Sequence, residues 1–211
     1  ASGDGETTTP ESGLALQGII DFKGSSGTNG KGLHLIATED ITDLSTYAVG
    51  VVSNGNGDVS ADFTFPAGST ASAGDHILLA RDVAYMDSYM SASNIFSQVF
   101  DAGGAMSQNG NDPIVLIKNS VVVENFQDPT LQTSSSDYTM SWAYRDSWVY
   151  KVNGDWTYGG IDCTSPATAT TWDSDCVYPF AIGQNPLSTP DLTINKISVF
   201  PNPVSNGIVN I

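Results

Sequence analysis

Basic residues are scarce. Seven Lys and Arg stand against 23 Asp and Glu in 211 residues, giving a formal net charge of −16 and a sequence pI of about 4.1. A chain this acidic repels a polyanion, which excludes a nucleic-acid reader that works by neutralising phosphates. Charge of either sign is sparse, at 14% of residues against roughly 25% in an ordinary soluble domain. The surface is therefore expected to be finished by Ser, Thr, Asn and Gly. No run approaches the roughly 18 to 20 apolar residues of a membrane-spanning helix, so no membrane span is expected. The chain starts at Ala1 with no basic stretch and no apolar signal core, which reads as a mature exported protein whose signal has been removed.

Groups for chemistry are few. The two histidines, His34 and His76, belong to no H-x-x-H or H-E-x-x-H pattern and have no third ligand at a useful spacing. His34 sits between Leu33 and Leu35, so alternation turns it to the opposite face, expected to be the wet one. Serine is abundant, yet no G-x-S-x-G elbow occurs. Asp58, Asp62, Asp101 and Asp112 are single carboxylates in an acidic chain and carry no catalytic weight individually. Thus no catalytic set, cofactor site or metal site is recognised. For Ca2+, S-N-G-N-G-D-V-S (53–60) and D-A-G-G-A-M-S-Q-N-G-N-D (101–112) are candidates in composition alone. Neither has a D-x-D-x-D-G spacing, and both read better as plain turns.

What is present points to strands. The chain is 40% hydrophobic, with 21 Gly and 10 Pro, and about 200 residues are enough for one all-β domain with a real core. Short apolar runs recur between Leu14 and Phe126, each bounded by Gly, Asn, Asp or Pro, the spacing of a sandwich or barrel. In V-S-A-D-F-T-F, Val59, Ala61, Phe63 and Phe65 alternate with polar residues, which predicts a half-buried strand. Lys118-Asn119 predicts a tight hairpin with Asn119 in the left-handed region. D-V-A-Y-M-D-S-Y-M places Val83, Met86 and Met90 at helical spacing behind Asp82, predicting one short capped helix. V-Y-K-V-N-G-D-W-T-Y predicts a hairpin with Asn153-Gly154 at its tip.

Trp142, Tyr144, Trp148, Tyr150, Trp156 and Tyr158 cluster within a short stretch. Flat rings of this kind stack on sugars, which makes Trp142, Trp148 and Trp156 a candidate ligand platform. The alternative, favoured here, is that alternate aromatics fill the core with polar tips at its edge. Cys163 and Cys176 flank a Ser/Thr-rich loop and are read as a disulfide, worth up to ~3 kcal/mol for a loop of this length. Free thiols or a metal pair are the rival readings, disfavoured because no other Cys and no nearby His exists. A disulfide implies oxidising surroundings.

Two resemblances emerge. Residues from about Leu16 to Gly160 resemble the bacterial lamin-tail domain family, through G-I-I-D-F, L-H-L-I-A-T-E-D-I-T-D-L-S-T-Y-A-V-G-V, F-T-F-P-A-G-S-T-A-S-A-G-D-H-I-L-L-A-R, N-I-F-S-Q-V-F-D-A-G-G-A-M-S-Q-N-G-N-D-P-I-V-L-I-K-N and R-D-S-W-V-Y-K-V. Family members often carry Glu in the second strand, where this chain has His34. The resemblance implies an immunoglobulin-like β-sandwich in an extracellular setting, beside secreted hydrolases and serving attachment. The final residues, D-L-T-I-N-K-I-S-V-F-P-N-P-V-S-N-G-I-V-N-I, resemble the opening of a type IX secretion sorting domain at Val199, Pro201, Asn202, Pro203, Gly207, Val209 and Ile211. That implies export by Sec and then by the type IX machinery as the partner, with release or retention at the cell surface.

The expected organisation is therefore a disordered leader at 1–12, a lamin-tail-like β-sandwich at 13–162, a Cys-bridged extension and linker at 163–190, and the start of a truncated sorting domain at 191–211. The expected function is a non-catalytic adhesion, binding or structural module. The alternative is a carbohydrate-binding accessory of an extracellular hydrolase, using the Trp/Tyr cluster.

Overall fold

The first strand, L-A-L-Q-G-I-I-D-F-K-G, is apolar at adjacent positions as well as alternate ones, so it has to be covered on both faces. In the computed structural model, which describes residues 13–24, 27–132, 136–145, 156–165 and 168–182, that is how it is used. The leader, the Asn153-Gly154 hairpin tip, Trp148, Tyr150 and the 191–211 segment lie outside the described residues.

The described residues form ten strands in chain order: β1 (Leu14–Gly24), β2 (Gly27–Ala37), β3 (Tyr47–Val51), β4 (Phe63–Thr64), β5 (His76–Ala80), β6 (Gln98–Asp101), β7 (Ile114–Lys118), β8 (Val121–Phe126), β9 (Ser141–Arg145) and β10 (Trp156–Tyr158). They form a six-stranded sheet, β10-β9-β1-β2-β5-β6, and a four-stranded sheet, β4-β3-β7-β8. The fold is an all-β sandwich. Leu14, Leu16, Ile19, Leu33, Leu35, Ile77 and Leu79 of the larger sheet pack against Tyr47, Val49, Ile114, Leu116 and Phe126 of the smaller one.

A bulge in β1 decides what each face receives. The register with β2 shifts between Leu16 and Gly18, and one extra residue reverses the side-chain parity that follows. Leu14 and Leu16 face the inter-sheet core, and so does Ile19, while Ile20 and Phe22 belong to a second apolar cluster. The bulge is pinned from β8 of the opposite sheet and from β9, its neighbour in the same sheet. Leu16 N–H donates to Glu124 Oε2 at 2.9 Å, and Gln17 Nε2 donates to the Arg145 carbonyl at 2.9 Å. Arg145 itself pairs with Glu124, and both side chains are buried.

The second cluster makes a third layer. β5 and β6 run parallel, which demands a crossover. It carries α1 (Val83–Met90) and α2 (Ala92–Ile95). Asp82 caps α1 by accepting from Tyr85 N–H at 2.9 Å, as the sequence predicts. Met86, Tyr89 and Met90 from α1, with Phe96, Tyr178 and Ala181, cover Ile20, Phe22, Leu78 and Trp142 on the outer face of the larger sheet. Among the described residues no helix is long and apolar enough to cross a membrane.

Local expectations meet mixed outcomes. The β7–β8 hairpin turns at Asn119 and Ser120 with φ of 50° and 66°, the left-handed pair that suits a two-residue turn. V-S-A-D-F-T-F is not one strand, because only Phe63–Thr64 pairs with β3. Val59 is exposed instead. Asp62 takes the place of a ladder partner by accepting from Val51 N–H at 2.7 Å, and its own N–H donates to the Val49 carbonyl at 2.9 Å. The chain then crosses β3 above Gly50, where a Cβ would strike the Ser60 carbonyl. N-I-F-S-Q-V-F is likewise divided, with Asn94 and Ile95 in α2 and the strand confined to Gln98–Asp101.

Both buried ion pairs lie at the inter-sheet level. Besides Glu124–Arg145, Lys31 Nζ meets Asp21 Oδ1 at 2.7 Å and also donates to the Gln108 carbonyl. Burial pushes the Asp21 and Glu124 carboxyls up, opposed by the Lys31 and Arg145 charges. Such pairs stabilise little in themselves, but breaking one strands a buried charge. Arg145→Met is therefore expected to lower unfolding free energy by about 3–5 kcal/mol, and Glu124→Gln combined with Arg145→Met by clearly less. Urea unfolding of the two variants checks this, and equal losses would sink the account.

Candidate functional site

Alternation along β2 sends Leu33 and Leu35 inward and His34 outward, as the sequence predicts, but outward here is not wet. His34 is fully buried, at 0% exposure, because the third layer closes over it. That corrects the sequence-based expectation of a solvated face. Its Nδ1 lies 3.0 Å from Tyr178 Oη and its Nε2 lies 2.7 Å from His76 Nδ1, so three polar side chains form one hydrogen-bonded row. Phe96 meets the His34 ring edge-on at 4.9 Å, and Phe180 lies 4.7 Å from His34 and 4.3 Å from His76 between ring centroids. Tyr144 stands 6.0 Å from His34 and 5.5 Å from Tyr178.

The electrostatics follow from that enclosure. Burial holds His34 well below the usual imidazole range, with the neighbouring His76 adding to the effect. Burial lowers His76 as well, partly offset by Asp75 beside it. Burial raises the Tyr178 phenol far above its ordinary value, so it stays protonated. The row therefore holds neutral rings at neutral pH, and either direction of proton donation along it is consistent with the distances. It has the groups of a proton relay, but no Ser or Cys nucleophile and no carboxylate is hydrogen-bonded into it among the described contacts.

The cysteines lie next to this row. Cys163 and Cys176 are joined in a disulfide with Cα atoms 5.6 Å apart. Two residues beyond Cys176, Tyr178 N–H donates to Thr171 Oγ1 at 3.1 Å, and Trp172 Nε1 donates to the Ala181 carbonyl at 2.9 Å. The stapled segment therefore brings Tyr178 and Phe180 onto the sheet. Sequence reasoning missed both residues. The available signal was V-Y-P-F-A-I, an apolar run directly after the second cysteine.

Of the three tryptophans proposed as a platform, Trp142 is buried and donates Nε1–H to the Cys176 carbonyl at 3.1 Å. Trp156 is half-buried, with the Arg145 guanidinium 4.9 Å from its ring centroid and Phe126 edge-on at 4.8 Å. Trp142 therefore has no face to offer a sugar, and Trp148 lies outside the described residues. The loops considered for Ca2+ are held by internal hydrogen bonds. Asp112 accepts from Asn54 N–H at 2.7 Å and Asn109 N–H at 2.9 Å, and Asp101 accepts from Gly103 N–H at 3.1 Å. Among the described residues, no three His, Cys, Asp or Glu converge in a way that holds an ion.

An open groove of about 440 Å³ lies on the other side of the molecule, on the four-stranded sheet. Ser45, Thr46, Ser60, Thr64, Asn119 and Ser120 supply polar atoms, and Ala48, Val59, Ile117 and Val122 supply its apolar floor and wall. Ala48 and Ile117 of this lining belong, with Val52 and Val115, to a small separate apolar cluster. Among the described residues, no charged side chain lines this groove. Its residues come from four separate stretches, so no contiguous motif marks it.

No family model, no curated protein and no solved structure matches this chain.

The close fit at the histidine row is testable through Gly18, which pairs with His34 across β1 and β2. A Cβ there would collide with Tyr178 Oη. Gly18→Ala is expected to lift Tyr178 off His34 and to cost about 1–3 kcal/mol, the usual range for overpacking a close-packed site. Thermal unfolding and the His34 ring resonances read the two effects, and unchanged resonances would show that the contact is not made.

Proposed function

We propose that this chain is a secreted or cell-surface module that binds rather than catalyses, an immunoglobulin-like sandwich of the lamin-tail kind carried out of the cell by type IX secretion. One observation carries the binding reading. The chemically versatile side chains, His34, Cys163 and Cys176, are consumed by packing and crosslinking, whereas the groove on the four-stranded sheet is open and lined by hydroxyls, an amide and aliphatic groups without any charge. A recess of that composition recognises a neutral ligand by hydrogen bonds over an apolar floor, and its lining offers no acid or base to activate its hydroxyls for turnover.

The disulfide supports an oxidising destination. Support for the lamin-tail reading is the order of its sequence stations: G-I-I-D-F falls in β1, L-H-L-I-A in β2, H-I-L-L-A in β5 and P-I-V-L-I-K leads into β7. The helical crossover and stapled third layer are additions to a plain two-sheet sandwich. The sorting reading rests on Val199, Pro201, Asn202, Pro203 and Gly207 in the C-terminal segment.

A glycan array with polysaccharide pull-down tests the groove. Val122→Asp and Asn119→Ala are expected to weaken wild-type binding by tenfold or more, about 1.4 kcal/mol, while Trp148→Ala and Trp156→Ala leave it unchanged. The reverse pattern favours a carbohydrate-binding accessory built on the aromatic cluster, and turnover of a hydrolase substrate by the purified chain would overturn the non-catalytic reading. Deleting residues 191–211 in a type IX-competent host is expected to leave the protein in the periplasm, and secretion without them removes the sorting assignment.

A further inference from the structure

We propose that the His34–His76 pair is an acid-operated latch, which holds the segment after Cys176 against the outer face of the six-stranded sheet at neutral pH and lets it go when both rings charge. This goes beyond the binding reading and does not depend on it. The geometry sets the condition. With His34 Nε2 and His76 Nδ1 only 2.7 Å apart, one proton sits between two nitrogens.

A first added proton is accommodated. If His76 takes it, His76 Nδ1–H donates to His34 Nε2, and His34 Nδ1–H then donates to Tyr178 Oη, so the row reverses without breaking. The Phe180 ring, 4.3 Å away and tilted by 30°, presents π density to that charge. A second proton is not accommodated, because two N–H groups and two positive charges would face each other across the same gap.

Among the described residues, few groups offset that repulsion. From β1 the pair meets Gly18, which is chargeless. From the link between α2 and β6 it meets Phe96, from β9 Tyr144, and from the stapled segment Tyr178 and Phe180. The Tyr178 phenol, raised by burial, is neutral across the relevant range. Asp75, next to His76, is the charged group that bears on the pair from β5, and it favours charge on His76 rather than on the enclosed His34.

Opening releases Tyr178 and Phe180 and uncovers Phe22 and Trp142, while the disulfide keeps residues up to Cys176 tethered. The sign follows from linkage. Both histidines are lowered in the closed form, so the open form binds more protons below the free imidazole value near 6.5. Closure is complete above that pH and weakens as pH falls. The opening constant rises about tenfold per pH unit for each proton taken up, and levels off once the closed form charges too.

Amide hydrogen exchange on the 211-residue chain, from about pH 7.5 to about pH 5 and corrected for intrinsic exchange rates, tests this. Protection at Tyr178, Ala181 and Ile182 is expected to fall by tenfold or more per pH unit below about 6.5 while Ile114–Lys118 of β7 keep theirs. His76→Gln, which retains a hydrogen-bonding side chain without the charge, is expected to flatten that slope. Unchanged protection at the low-pH end, equal loss in β7, or an undiminished slope in His76→Gln would each overturn the latch. Where His76→Gln does not fold, the wild-type His34 ring resonances decide. A titration midpoint that tracks the loss of protection supports the latch, and one that does not overturns it.

Discussion

From β1, Leu14, Leu16 and Ile19 point to one side and Ile20 and Phe22 to the other, and all five are buried. A sheet whose central strand is apolar on both faces needs a cover on each, and the rest of the molecule is arranged to supply them. The four-stranded sheet covers one face. The β5–β6 crossover and the disulfide-stapled segment cover the other. The bulge at Gln17 sets which residues of the strand each face receives, and the Glu124–Arg145 pair clamps it at the level of the inter-sheet core.

That arrangement also explains how so acidic a chain spends its few cations. Lys31 and Arg145 are buried against Asp21 and Glu124, Arg81 donates to the Met106 carbonyl, and Lys118 lies over the Tyr47 ring. Positive charge is thereby held close to structural partners, and the outward-facing balance is strongly negative. The groove on the four-stranded sheet stands apart from this pattern, because no charged group lines it among the described residues. An acidic surface with a neutral recess discourages non-specific capture of polyanions and leaves recognition to hydrogen bonds and apolar contact.

Signals confined to a few neighbouring residues were readable in advance. The α1 helix with its Asp82 cap, the Asn119 turn and the Cys163–Cys176 bridge all depend on residues close in the chain, and each forms as its spacing predicts. Where a long-range contact intervened, local reading failed. Asp62 satisfied Val51 N–H and ended the expected strand at Val59–Phe65, and Tyr178 and Phe180 arrived over His34 from 144 and 146 positions further along the chain. His34 shows both outcomes in one residue: alternation set its direction, and the third layer set its burial.

By itself, the amino-acid sequence determined that this is an acidic, Gly- and Pro-punctuated β-protein with a short capped helix at Val83–Met90 and a disulfide, because composition, turn residues and spacing act over short range, whereas the second helix, Ala92–Ile95, was not read from it. Tertiary structure decided which polar residues are enclosed, which tryptophans are spent on packing, and where an open recess remains. Periodicity reports only the direction in which a side chain leaves its strand. What waits there, water or another layer of protein, depends on segments distant in the chain, and here it enclosed His34, which alternation alone places on the surface, in a hydrogen-bonded row with Tyr178 and His76.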